Sequence, residues 1–140
     1  AIGSETYSNA VTIISSANVG IGTATIPTTF YVQGRSAGFI QTLTDGATLT
    51  PNFGSGNNFN VTIAGNRVLA NPGNPTPGQS GVIYVIQDTT GSRTLTYGSY
   101  YKFPSGVQPT LTTTANAVDA LFYTVRNTTS ITVNAVLNIG

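Results

Sequence analysis

The sequence has no cysteine, no histidine, no methionine and no tryptophan among its 140 residues. Without the first three it lacks a thiol nucleophile, the usual soft metal ligands and the side chain that normally titrates near neutrality. Thiol chemistry and His-based catalysis are therefore excluded, whereas the absence of cysteine is compatible with any redox compartment. Charge is almost as scarce. Charged residues make up 6% of the chain and the net charge is +1, against roughly 25% charged residues in typical soluble domains. Arg35, Arg67, Arg93, Lys102 and Arg126 are too scattered to neutralise a run of phosphates, so nucleic acid is not an expected partner. Long apolar runs are missing as well: no window approaches the ~20 apolar residues of a membrane-spanning helix. The opening Ala1-Ile2-Gly3-Ser4-Glu5 lacks the basic region and apolar core of a signal peptide. The chain reads as soluble, without membrane insertion, and its N-terminal Ala fits either removal of an initiator Met or a segment of something longer.

Hydrophobic residues are an ordinary 39%, so Thr, Asn, Ser and Gly must supply the polar surface. A surface of hydroxyls and amides steers charged ligands weakly. It also lacks one common protection against association, which fits faces covered in an assembly. The length suits one domain, or a small domain with an extension, burying roughly two-thirds of its unfolded surface.

The periodicity is two throughout. Phe59, Val61 and Ile63 alternate with Asn58, Asn60 and Thr62; Leu121, Tyr123 and Val125 alternate with Phe122, Thr124 and Arg126; Ile131, Val133, Ala135, Leu137 and Ile139 alternate with more polar neighbours. Such alternation predicts half-buried strands. Val82-Ile83-Tyr84-Val85-Ile86 is apolar at every position, which predicts a central strand with Ile83 and Val85 in the interior. The Pro- and Gly-rich stretch 71–78 predicts a loop, and Asp88-Thr89-Thr90-Gly91-Ser92 a hairpin turn with Arg93 to Tyr97 returning. Short strands punctuated about every ten residues predict an all-β fold, an antiparallel β-sandwich or jelly-roll-like domain. A composition shift near residue 44 separates an N-terminal β-stem or arm, 1–44, from a globular β-domain, 45–140.

The candidate chemistry is thin. The acids Glu5, Asp45, Asp88 and Asp119 are far apart, and a glycoside hydrolase would need two of them flanking a scissile bond. Asp45-Gly46 and Asp88-Thr89-Thr90-Gly91 read instead as turn signatures. No catalytic residue, metal site or cofactor is expected. Tyr97, Tyr100 and Tyr101, with Lys102, are candidate glycan contacts, because tyrosine offers an apolar face with a polar tip. The competing reading has these tyrosines packed inward and clamping the Gly106 loop. Arg67, Arg93 and Arg126 are expected to pair with Asp88, Asp119 or backbone carbonyls.

Asn18-Val19-Gly20-Ile21-Gly22-Thr23, followed after Pro27 by Phe30-Tyr31-Val32-Gln33-Gly34, resembles a stem segment recurrent in bacteriophage tail-fibre and spike proteins. Gly20 and Gly22 permit close backbone approach or φ > 0, and Val19 and Ile21 supply apolar side chains to a shared axis; an ordinary Gly-rich turn is the alternative. Separately, Gly65-Asn66-Arg67-Val68-Leu69-Ala70-Asn71-Pro72, Pro77-Gly78-Gln79-Ser80-Gly81-Val82-Ile83, Gln87-Asp88, Gly91-Ser92-Arg93-Thr94-Leu95 and Lys102-Phe103-Pro104, with Leu111-Thr112 and the stretch to Asp119, are similar in order to a domain of phage tail-fibre, head-fibre and related virion proteins. Members commonly carry an aromatic such as Trp near Tyr97 and Tyr101. The resemblance implies a non-enzymatic virion fibre, spike or capsid decoration protein. It would form a homotrimer through its faces and stem, contact other virion proteins, and project toward host surface glycan. A secreted bacterial carbohydrate-binding module or adhesin is the alternative, and a polysaccharide depolymerase spike using the Asp acids is a third.

Overall fold

The computed structural model describes residues 11–13, 19–21, 30–32 and 35–140, with side chains from residue 35 onward. The chain divides into two units, Ala1–Ala37 and Gly38–Gly140. In the first, β1 (Val11–Ile13), β2 (Val19–Ile21) and β3 (Phe30–Val32) form a three-stranded sheet with β2 in the middle, antiparallel to β1 and parallel to β3. Val19, Gly20 and Ile21 are that middle strand; Gly22 lies outside the described residues.

The larger unit holds β4 (Ile40–Thr42), β5 (Thr48–Leu49), β6 (Asn58–Ile63), β7 (Arg67–Leu69), β8 (Ser80–Gln87), β9 (Leu95–Tyr97), β10 (Tyr101–Lys102), β11 (Val118–Asn127) and β12 (Ser130–Val136). A single 3-10 turn, Pro104–Gly106, is the only helical element among the described residues. The fold is all-β. Strand order is β10-β12-β11-β8-β6-β4 in a six-stranded sheet and β5-β7-β9 in a three-stranded one.

From β4 to β10 the chain changes sheet at every strand. Each crossing returns the chain to the first sheet running in its former direction, so β4, β6 and β8 lie parallel, as do β5, β7 and β9. This corrects the antiparallel expectation, because parallel neighbours require a crossover and here the crossover is a strand of the other sheet. The hairpin expected at 88–92 is corrected for the same reason: β9 pairs with β7, and the neighbours of β8 are β6 and β11. Within the larger unit, antiparallel pairing enters when β11 runs back along β8 and turns at Thr128 and Thr129 into β12.

One hydrophobic cluster unites the two sheets. Leu49, Leu69 and Leu95 from the smaller sheet join Phe59, Val61, Ile63, Ile83, Val85, Leu121, Tyr123, Val125, Ile131 and Val133 from the larger. Ile83 and Val85 are 1% and 2% exposed, as expected of a central strand. Phe53 stacks between Phe59 (centroids 5.6 Å apart) and Tyr123 (4.4 Å) and so closes one end of the core. Leu137 and Ile139 are exposed beyond the end of β12, so the inward alternation ends at Ala135 rather than at Ile139.

Loops are fixed by amides. Gln87, buried at the end of β8, exchanges two 2.9 Å hydrogen bonds with the backbone of Arg93 and thereby shapes the 88–92 turn. Gly91 sits in that turn at φ +72°, where a Cβ would lie 2.5 Å from the Thr113 carbonyl oxygen. Gln79 Nε2 donates to the Phe53 carbonyl (2.7 Å) and to Asn57 Oδ1 (2.7 Å), tying the Pro-rich 71–78 loop to the segment before β6.

Candidate functional site

The three described carboxylates are occupied in holding loops. Asp45 accepts from Arg67 Nη2 at 2.6 Å and Nε at 2.8 Å, and from the Ala64 backbone N–H. Asp88 accepts from Arg93 Nη2 at 2.8 Å and caps its own turn through the N–H groups of Thr90 and Gly91. The Arg67 hydrogen bond holds the Asp45 carboxyl below the usual carboxylate range, and Arg93 does the same for Asp88. Asp119, 2% exposed, accepts the backbone N–H of Thr112 and of Asn138. It therefore pins a loop and the C-terminal tail, where an arginine partner was the expectation. Glu5 lies outside the described residues. Among the described residues, no group of three or more His, Cys, Asp or Glu is placed to hold a metal.

The tyrosines and Lys102 do not share one open face. Tyr101 is 5% exposed and donates to the Ala70 carbonyl at 3.1 Å. Tyr97 is half-buried, meets Phe103 edge-on at 4.7 Å and reaches the Pro109 carbonyl. Burial pushes both hydroxyls above the ordinary phenol range. Tyr100 packs half-buried against the core, while Lys102 points outward and donates from Nζ to the Ser99 carbonyl at 2.6 Å. Arg126 is exposed.

The outer face of the six-stranded sheet is partly exposed, with Ala120 buried and the C-terminal tail bonded through Ile139 to the Val118 carbonyl. Registers place its side chains in rows. One row runs Ile40, Asn58, Val82, Phe122, Asn134; the next along the strands runs Thr42, Asn60, Tyr84, Ala120, Val136; on the other side lie Ser80, Thr124, Thr132 and Lys102. Within these rows Lys102 is the only charged residue. Phe122 is 46% exposed, and a shallow groove of about 410 Å³ passes beside it, bordered by Asn58, Ser80, Val82 and Thr124. The sequence reading assigned Phe122 to the outward register yet did not mark it as a site. The available signal was a bulky aromatic where the alternation calls for a polar residue.

These features define an all-β domain whose described carboxylates are spent on holding loops. The family is defined by sequence similarity: the model described as "Putative phage tail fibre C-terminal domain" matches residues 43–126, more than half of the chain, and the chain belongs to that family. Membership places it with the structural fibre proteins of bacteriophage particles and in association with other virion proteins. No curated protein and no solved structure matches the chain.

Proposed function

We infer that the chain is a non-enzymatic structural and adhesive part of a bacteriophage fibre, spike or capsid decoration, that it assembles as a homotrimer, and that it projects from the particle toward the host surface. The observation that carries this reading is the family match over residues 43–126. The single core shared by the two sheets supports a sandwich-like domain as the projecting element. The stem supports assembly: Gly20 sits in the middle of β2, opposite Thr12 and Tyr31, and the alternation of Val19, Gly20, Ile21 and Gly22 in the sequence suits close approach of chains about a three-fold axis.

Light scattering on the full chain is expected to give three times the 14.5 kDa chain mass. Gly20→Val and Gly22→Val should each reduce that mass while circular dichroism retains the β signal of residues 38–140, because the described core cluster is built from residues of that unit. A 14.5 kDa species from the unaltered chain, or full-size oligomers from both variants, would contradict assembly through this strand.

A further inference from the structure

We propose that the open edge of β9 is a docking slot for one extended, uncharged peptide segment of another virion protein, which enters as an added strand; this deepens the fibre reading above, by naming how the chain holds a partner on the particle, and rests on it. β9 is the outer strand of the three-stranded sheet. In a parallel ladder, alternate residues turn both backbone groups to the same neighbour. Arg67 donates its N–H to the Thr94 carbonyl and the Leu69 carbonyl accepts the Gly98 N–H, so between them Thr96 serves β7 with both of its groups. Leu95 and Tyr97 therefore turn theirs the other way, and the backbone N–H and C=O of both residues make no hydrogen bond among the described residues. At Arg93 the same need is met internally, because the Gln87 side chain takes both of its backbone groups. Leu95 is only 8% exposed, and a backbone group at such a site is costly to leave without a partner.

The slot has two walls. Residues 93–95 border one side of a cleft of about 240 Å³, and residues 108–111 with Thr113 border the other. Tyr97 Oη spans from the strand to the far wall, donating to the Pro109 carbonyl at 3.4 Å. The backbone groups of Gln108, Thr110 and Leu111 are likewise without a hydrogen bond among the described residues. A strand laid between the walls can thus bond along both of its edges, the mode of recognition in which main-chain pairing supplies affinity and alternate side chains supply specificity.

The lining selects the occupant. Leu95 and Leu111, both members of the core cluster, line the cleft, whereas Thr94 and Thr110 are exposed at its rim. The entering strand should therefore alternate, with apolar residues toward the core and small polar ones outward. Arg93 is the one charged lining residue, and Asp88 already holds its Nε and Nη2, so a charged segment gains no counter-charge. A second copy of the chain fits poorly. Its own β9 lies behind its own residues 108–111, and its exposed tail has one edge committed, through the Asn138 N–H to Asp119 and the Ile139 N–H to the Val118 carbonyl. The slot asks for a strand free on both edges, and family membership already associates the chain with other virion proteins.

The test is amide hydrogen exchange, resolved to single residues by electron-transfer fragmentation, on the isolated full chain and on purified virions. The amides of Leu95 and Tyr97 should exchange fast in the isolated chain and roughly ten-fold or more slower in virions, as an amide does when it gains a strand partner. A benzoylphenylalanine placed at Thr110 should photo-cross-link to a different virion protein, in a peptide of alternating apolar and small polar residues. Thr110→Trp, at an exposed position, fills the cleft; it should keep the β signal and the mass of the isolated chain while Leu95 and Tyr97 stay fast in particles. Four results would overturn the proposal: equally fast exchange in chain and virion, slow exchange already in the isolated chain, a cross-link confined to copies of this chain, or full protection in Thr110→Trp virions. Failure of the fibre reading is distinguishable, since the chain is then absent from purified particles and the proposal falls with it, whereas a chain present with fast Leu95 and Tyr97 amides overturns the slot alone.

Discussion

Gly81→Ala should be among the most damaging single substitutions in the larger unit, costing about 3 kcal/mol or more, at or beyond the usual upper end for overpacking. Gly81 lies on β8 with its missing side chain directed at the segment before β6. A Cβ there would stand 1.8 Å from the Asn57 carbonyl oxygen and 2.9 Å from Tyr123 Oη. The obstacle is backbone, so no rotamer change relieves it. Retreat of Asn57 would also break the 2.7 Å hydrogen bond that Tyr123 donates to its carbonyl and disturb the Gln79 contact beside it. Gly56→Ala is the matched control, because a Cβ at that position meets nothing within 4 Å, and it should leave the unfolding midpoint nearly unchanged. Equal midpoints for the two variants in denaturant would show that the close approach of β8 to Asn57 is not a constraint.

Phe59→Ala is expected to cost about 3–5 kcal/mol, the range for removing a buried aromatic side chain. That is a large share of the roughly 5–15 kcal/mol that stabilises an ordinary domain. Phe59 is fully buried, and its loss also removes one side of the stack through Phe53 to Tyr123. The neighbours are strand residues fixed by ladders on both sides, with β4 and β8 flanking β6, so the cavity cannot readily collapse. Chemical unfolding followed by circular dichroism measures it; a loss below about 1 kcal/mol would mean that the Phe53 end of the core repacks freely. The two substitutions act on one corner of the domain through Tyr123 and should not be additive.

The parts of this fold that could be read from the sequence are those that depend on local periodicity. Phe59, Val61 and Ile63 point inward because alternation dictates it, and the unbroken run from Val82 to Ile86 falls on a central strand, β8, with β6 and β11 paired along its two edges. The Pro-rich 71–78 stretch lies between β7 and β8 as expected. Strand direction was not legible. A turn such as 88–92 looks the same whether the chain returns beside the strand it has left or crosses to another sheet, and Gln87 sets the second outcome through two bonds to Arg93 that no composition reveals. The tyrosines illustrate a similar limit. Tyr97 and Tyr101 carry the chemistry of a sugar platform, yet their rings close the core and hold Pro109 and Ala70. Phe122 was visible as an outward aromatic, but its amide and hydroxyl surroundings come from three strands whose registers are set by tertiary pairing.

The central claim, that this chain is part of a bacteriophage fibre, is tested most directly on particles. Mass spectrometry of purified virions from the phage that encodes the chain, together with immunogold labelling by an antibody against residues 38–140, should find the protein at a copy number divisible by three and place the label on a projecting appendage. Virions in which the other structural proteins are recovered but this chain is absent would contradict the account.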